Sequence, residues 1–288
     1  MSIESRFDVK PLEATFGAVV NGLKLSQLDD ATFARLYETW LEYALLVFPD
    51  QHLSIEEQIT FAKRFGDLEF DLFAISNVRP DGSVRPDDDS DDVVKILKGN
   101  MGWHCDSSFM AVQAKGAVFT AHVLPSTAGE TGWADMRAGY DALDEDMRAR
   151  ISKLSAYHSL HYSQANVEHF QTEGSEYKGY DPADQDPPLR PLVKIHPETG
   201  RASLTIGRHA YGIPGMDPDE SEQLLRELVD LCCQAPRTYH HTWSPGDAVV
   251  WDNRCLLHQA CPWDMTEPRI LCHSRIAGDP VAEFAAHG

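Results

Sequence analysis

Apolar positions along the chain follow two rhythms, one with the 3.6-residue period of a helix and one short and continuous, as in a buried strand. Phe33, Leu36, Tyr37, Trp40, Leu41 and Ala44 fall at helical spacing behind Asp29 or Asp30, either of which suits an N-cap. An aromatic stripe of this kind packs into a core. Ser54-Ile-Glu-Glu57 has the form of a capping box and opens a second helix carrying Ile59, Ala62 and Phe65, with Gly66 as its closing residue. A third helix is expected after Asp135 or Asp141 and through Ile151. A fourth starts at Asp217, with Pro218 in the first helical position, Glu220 three residues after the cap, and Leu224, Leu228 and Leu231 along one face.

Between the helices, an extended stretch around Phe16–Val20 precedes strand patterns at Ala117–Leu124, Leu192–His196, Ser203–Ile206, Ala248–Trp251 and Ile270–Ile276. Many short strands predict a barrel or a sandwich. No Gly-x-Gly-x-x-Gly follows a strand and no P-loop motif occurs, which disfavours a nucleotide-binding α/β fold. Two stretches rich in Gly, Pro and acidic residues, 80–92 and 172–188, interrupt the pattern. Long loops of this kind serve as lids or binding loops, or are solvated excursions without a catalytic part. Both readings stay open for the acidic tract, and its apolar flank, Leu72-Phe-Ala-Ile75, is the better candidate for a substrate wall.

A chain of 288 residues can bury one large core, so a single domain spanning 1–288 is expected. The formal charge of -20 excludes nucleic acid and anionic membranes as partners, because phosphate binding needs clustered Lys and Arg. It leaves room for a small anionic organic substrate, since a few buried arginines dominate the potential of a pocket. The start Met1-Ser-Ile-Glu shows no leader, and no run approaches the roughly 20 apolar residues of a membrane span, so a cytoplasmic location is expected. The six cysteines are scattered, apart from Cys232-Cys233, and read as reduced thiols. The oligomeric state stays open, a homo-oligomer included.

The chemistry centres on Trp103-His104-Cys105-Asp106. In an extended segment His104 and Asp106 project from one face while Cys105 points away and packs. A third ligand must come from elsewhere, and His258 suits it: Asp247–Asp252 reads as a buried strand, and the loop after such a strand can reach a site beside it. Two histidines and one carboxylate on one face of an octahedron leave positions open, as in non-haem Fe(II) oxygenases. With thirteen histidines in the chain, a stray His-x-Asp is common, so context must strengthen the signal. Arg269, eleven positions after His258, supplies it: its guanidinium offers the fork that a dicarboxylate needs. A zinc hydrolase could also use two histidines and a carboxylate, although no His-Glu-x-x-His is present, and a non-catalytic ligand-binding jelly roll is a third reading.

With these residues in place, the sequence resembles the taurine and (dichlorophenoxy)acetate dioxygenase family, Fe(II)- and 2-oxoglutarate-dependent enzymes, over nearly its whole length. Within that family it is most similar to the S-selective phenoxypropionate (aryloxyalkanoate) dioxygenases, through runs such as Ala44–Phe48, Ala74–Val78 and Pro191–Gly200. The resemblance implies a mainly β fold with flanking helices, a double-stranded β-helix or jelly roll of the clavaminate synthase-like type. It implies His104, Asp106 and His258 as iron ligands, Arg269 and Thr131 as partners of 2-oxoglutarate, and O2 as the second co-substrate, with ascorbate supporting activity in vitro. It further implies oxidative decarboxylation to succinate and CO2, coupled to hydroxylation of the ether-bearing carbon of an aryloxyalkanoate, which collapses to a phenol and an oxo-acid. The same chemistry on an alkylsulfonate, a sulfate ester or another carboxylic acid is the alternative.

The sequence departs from the wider family where an arginine for the substrate anion would stand fifteen residues after the distal histidine: His273 occupies that position. Arg275 is expected on the same strand face, and Arg208, in Ile206-Gly-Arg-His-Ala210, offers a cation from a separate strand. Resemblance to the S-selective enzymes favours Arg208, ahead of Lys95 and Lys98. Ile75, Phe109, His209 and Tyr211 are candidates for the wall around an aromatic group, each also credible as packing. Trp103 and Trp251 are expected beside the site, and Asp252, Asn253 and Arg254 are expected to brace the segment bearing His258.

Overall fold

The computed structural model describes residues 7–88, 91–165 and 186–287. Its largest sheet has seven strands in the order Asp8–Pro11, Ala18–Asn21, Leu45–Phe48, Ala248–Asp252, Gly116–Val123, Ile270–Ile276 and Leu68–Ser76. A three-stranded sheet, Thr238–His241, Thr131–Asp135 and Leu256–Ala260, faces it, and a four-stranded sheet of Ala210–Tyr211, Ser155–His158, Pro188–Pro191 and Ala286–His287 shares a core cluster with the three-stranded one through Ala156, Ala210, Ala134 and Leu257. Apart from a few consecutive pairs, such as Asp8–Pro11 with Ala18–Asn21, neighbouring strands are far apart in sequence, as in a jelly roll.

The continuous apolar runs are explained by two buried faces. Leu46, Phe48, Val118, Ala248, Val250 and Ile276 turn outward, where they meet Leu36, Trp40 and Phe61 of two covering helices and Phe65 just after the second. Their neighbours Leu45, Val47, Ala117, Phe119, Val249 and Trp251 turn inward and meet Trp133 and Leu256 of the facing sheet. The period-two alternation is present but hidden, because both phases are apolar.

The helices follow their caps. Asp29 accepts from Thr32 N at 2.6 Å to open Asp30–Tyr43, and Ala44 closes that helix in a left-handed conformation, φ 63°. Ser54 and Glu57 form the capping box of Ile55–Lys63, which stops at Arg64, short of the Gly66 expected to end it. The third expected helix is two: Met136–Asp141, capped by Asp135, and Glu145–Ile151, capped by Asp144. Asp144, whose carboxylate takes Met147 N, starts a new helix where a continuous one was expected from Asp135 or Asp141. Pro218–Cys232 begins behind Asp217 as expected. Asp92–Gly99 and Leu160–Ala165 are helices that the pattern did not predict. The expected strand Leu192–His196 is the shorter Val193–Ile195, and it is preceded by a separate, unexpected strand, Pro188–Pro191.

Two features order segments outside the strands. Residues 78–84 form a small hairpin, with Arg79 N on Ser83 O at 2.8 Å; Arg79 and Arg85 then pair with Asp91, the cap of Asp92–Gly99. At the other side, Gln113 N donates to Glu283 O at 3.1 Å and Ala285 N to Ala111 O at 2.8 Å. The buried Arg190 guanidinium reinforces this clamp with bonds to Ser108 O (2.6 Å), Met110 O (2.7 Å) and Glu283 O (3.3 Å). Of the two expected lid loops, 172–185 lies outside the described residues. No helix among the described residues is long and apolar enough to cross a membrane, and all six cysteines are free thiols.

Candidate active site

His104 and His258 sit directly opposite each other. His104 N donates to His258 O at 2.9 Å and His258 N to His104 O at 2.8 Å, an antiparallel bridge that puts both imidazoles on one face, ring centroids 4.2 Å apart. His258 therefore lies within strand Leu256–Ala260, not in the loop after Ala248–Asp252 as the sequence suggested. The turn at 253–255 is tight and returns the chain at once into the facing sheet. Asp106 lies two residues beyond His104, and a ligand atom from each of the three falls within 4.8 Å of the others. Cys105 points the other way and donates to Asn253 O at 2.9 Å.

The protonation states suit a cation. His104 Nδ1 lies 2.8 Å from Gly102 O, so Nδ1–H donates there and Nε2 stays a lone-pair donor. Burial, then the nearby His258 and Arg208, holds His104 well below the ordinary imidazole range, and burial with Arg275 and Arg208 pulls His258 to about 3. Both rings are neutral at pH 7. Burial raises the Asp106 carboxyl, but Arg275, His273 and His104 outweigh it and leave the group below its usual range, ionised. Its Oδ1 takes Arg275 Nη2 at 3.0 Å; its Oδ2 is buried without a hydrogen bond, 3.7 Å from His258 Nε2.

The triad opens onto a cavity of about 570 Å³. Strand Leu68–Ser76 supplies much of one wall, including Leu72, Phe73 and Ile75, and Val93, Ile96 and Leu97 of the unpredicted helix continue it. Arg85 reaches the lining from the loop at 78–88, so part of the acidic tract does border the cavity. Thr131 and Arg269 line it together. Arg269 is 2 % exposed, bonds through Nη2 to Gly129 O at 3.0 Å, rests 4.8 Å over the Trp263 ring, and has an Nε without a partner. Burial pulls this guanidinium down to about 10, and no carboxylate forms an ion pair with it among the described residues. Such a buried cation lacks the anion that would offset its desolvation.

Of the other expected residues, Phe109, His209 and Ile75 line the cavity; His209 bonds Ser163 Oγ through Nδ1 at 2.8 Å and meets the Phe109 ring edge-on at 5.0 Å. Tyr211 is not in the lining and stacks on Tyr162 at 4.7 Å. Arg208 lines the cavity but sits in a turn between Ala202–Leu204 and Ala210–Tyr211, not in a strand, since Gly207 at φ 122° bends the chain there. Its guanidinium donates to Gly99 O. His273 and Arg275 share a face, as the alternation requires, and both reach Asp106: His273 Nε2 is 3.6 Å from Oδ2. Lys98 pairs with Asp87 outside the cavity, and Lys95 is not in the lining either.

Trp251 lies 5.0 Å from the His258 ring, and Trp103 accepts Arg208 N on its carbonyl at 2.9 Å. Asn253 brackets Asp106, accepting from its N–H and donating to its carbonyl, both at 2.9 Å. Asp252 holds Arg254 (2.6 Å) and His196 (3.0 Å), so these buried groups, with Cys255 beside them, form an ionic anchor whose oxygens are already occupied. Sequence reasoning did not single out Trp243, whose indole N–H donates to Thr131 Oγ1 at 3.0 Å, nor Asn77, which accepts Arg269 N at 2.8 Å. Neither carries a local motif; only the fold brings them in.

A family model described as Taurine catabolism dioxygenase TauD, TfdA family matches residues 8–274. Among curated proteins, the chain is 67% identical over 281 residues to the (S)-phenoxypropionate/alpha-ketoglutarate-dioxygenase of Sphingobium herbicidovorans, covering 97% of this chain and 98% of that one. It is 56% identical over 290 residues to the protein of the same name from Delftia acidovorans, covering 99% of each. Among solved structures, AAD-2 in complex with Mn(II) and N-oxalylglycine is similar over 98% of this chain and 100% of its own, at 34% identity and a TM-score of 0.87.

Proposed function

The chain belongs to the TauD/TfdA family of dioxygenases, and from that premise we propose that it is an Fe(II)- and 2-oxoglutarate-dependent enzyme that cleaves S-phenoxypropionate-like aryloxyalkanoates. The observation that carries the reading is the 67% identity over 97% of the chain to an (S)-phenoxypropionate/alpha-ketoglutarate-dioxygenase. All of it is assigned to one catalytic domain, 1–288, in the cytoplasm, a location that six free thiols support.

The residues fit the metal. Two neutral imidazoles and an ionised carboxylate with an unpartnered buried oxygen are the donor set of a non-haem Fe(II) site, so His104, Asp106 and His258 would hold the ion. When bound there, iron with 2-oxoglutarate and O2 supplies oxidative decarboxylation to succinate and CO2, coupled to hydroxylation of a substrate C–H bond. Arg269 takes the far carboxylate of 2-oxoglutarate, the anion that its buried guanidinium lacks, and the Thr131 hydroxyl donates to it because Trp243 already occupies its oxygen. The apolar wall of Leu72, Phe73, Ile75 and Phe109 excludes water and receives the aryl ring, while Arg208 attracts the substrate carboxylate. Positioning selects the carbon: hydroxylation where the ether oxygen is attached yields a product that collapses to a phenol and an oxo-acid.

Succinate and phenol, measured in parallel with Fe(II), ascorbate and 2-oxoglutarate, test the reading across both phenoxypropionate enantiomers, phenoxyacetates, alkylsulfonates and sulfate esters. Phenol equal to succinate, chiefly from S-phenoxypropionates, is expected. Succinate rising only with a sulfonate or sulfate ester would move the substrate to that class and leave the site assignments standing.

A further inference from the structure

Arg275 lies in the cavity lining, yet its guanidinium is engaged elsewhere. Nη2 donates to Asp106 Oδ1 at 3.0 Å, Nη1 donates to Ser107 Oγ at 3.2 Å and lies 3.7 Å from Glu69 Oε2, and Ser107 Oγ donates to Glu69 at 2.8 Å. The group rests 4.8 Å over the Phe70 ring. Four neighbours thus fix one planar fork against one oxygen of one carboxylate. The other oxygen, Oδ2, has no hydrogen bond and faces His273 Nε2 at 3.6 Å and His258 Nε2 at 3.7 Å. We propose that Arg275 is a positioning residue which keeps Asp106 a one-oxygen ligand, so that the metal retains the open positions that its co-substrates need.

The inference rests on the metal reading above and goes beyond it. A carboxylate free at both oxygens can bind a cation through both. Three protein atoms on an octahedral ion leave three positions, and a fourth from Asp106 would remove one. Arg275 also places positive charge near the ion, which weakens metal binding, an effect that Glu69 partly offsets. The two consequences of removing Arg275 therefore have opposite signs: metal affinity holds or rises, while coordinated water and co-substrate affinity fall. A role in folding alone would move none of these in that pattern.

The test is anaerobic titration with Mn(II), reading its affinity and its hydration by water-proton relaxation, followed by calorimetric titration of 2-oxoglutarate into the Mn(II) protein. Wild type, Arg275→Met and Arg275→Gln are compared, with His258→Ala as control; Gln stays polar but is too short to reach Asp106, and serves if the Met variant does not fold. Expected are Mn(II) binding at least as tight as wild type, loss of one coordinated water, and 2-oxoglutarate weakened by about tenfold or more. Unchanged hydration and 2-oxoglutarate affinity, or a loss of Mn(II) affinity, overturns the proposal. If wild type and His258→Ala bind Mn(II) alike, the metal reading itself fails, which is a separate outcome.

Discussion

At the scale of single residues, the proposed roles separate groups that would hold the ion from groups that would hold what lies next to it. His104→Ala or Asp106→Ala removes one of the three donors, and succinate formation should fall to background in a coupled assay. Arg269→Ala leaves the ion but removes the buried cation for the distal carboxylate, and the KM for 2-oxoglutarate should rise by about a hundredfold or more. Trp243→Phe acts more mildly: losing one neutral hydrogen bond to Thr131 costs about 1 kcal/mol, so the same KM should rise about fivefold with kcat little altered. Arg208→Ala should raise the KM of carboxylate substrates far more than that of 2-oxoglutarate, and equal effects on both would remove it from the substrate side. These side chains differ in legibility. His104, Asp106 and Arg269 stand in a recognisable spacing, whereas Trp243 and Asn77 act through partners more than a hundred residues away in sequence and have no pattern of their own.

Among the elements, legibility follows burial on one face. The helices Asp30–Tyr43, Ile55–Lys63 and Pro218–Cys232 have a polar side and a cap, so period and cap agree. Strand Leu68–Ser76 carries nine residues with charged and aromatic positions mixed, because it is an edge strand, half-buried or exposed throughout, whose consecutive residues 72–76 all border the cavity, and no simple alternation results. Strand Leu256–Ala260 was hidden for another reason: it begins four residues after Ala248–Asp252 ends, and a turn that short leaves no Gly or Pro signal. Helix Asp92–Gly99 follows directly from an acidic stretch that looked like loop, yet Asp91 is its cap and the anchor of Arg79 and Arg85. Asp91→Ala removes the cap and both pairs, one of them buried. It should lower unfolding free energy by about 1–3 kcal/mol in urea titration and raise substrate KM, since the wall formed by Val93, Ile96 and Leu97 loses its fixed start.

For the molecule as a whole, the jelly roll was legible as many short strands, but its pairing was not, because most strand pairs join strands far apart in sequence. One consequence of complete burial is titration. His158 is enclosed with neither ring nitrogen bonded, and burial, then Arg190, pulls it to about 3 from the ordinary 6.5. Below pH 6.5 the unfolded chain takes up a proton that the folded chain refuses, so this contribution is intact above pH 6.5 and lost as pH falls, at about 1.4 kcal/mol per pH unit until about pH 3. Urea midpoints at pH 5 and 8 should therefore converge in His158→Gln relative to wild type; an unchanged gap would show that another group governs the acid limb.

The clamp between Ala111–Gln113 and Glu283–Ala285 also bears on the order in which the protein becomes itself during synthesis. His104 and Asp106 emerge from the ribosome well before the strand that faces them, the arginine proposed for the co-substrate and the segment that pins their loop. A nascent chain thus carries two of the three proposed metal donors long before it can use them. Translation that stalls before Glu283 should leave the loop at 108–113 unpinned, exposing Phe109 and its neighbours to chaperones until Phe284 pairs beside Val112.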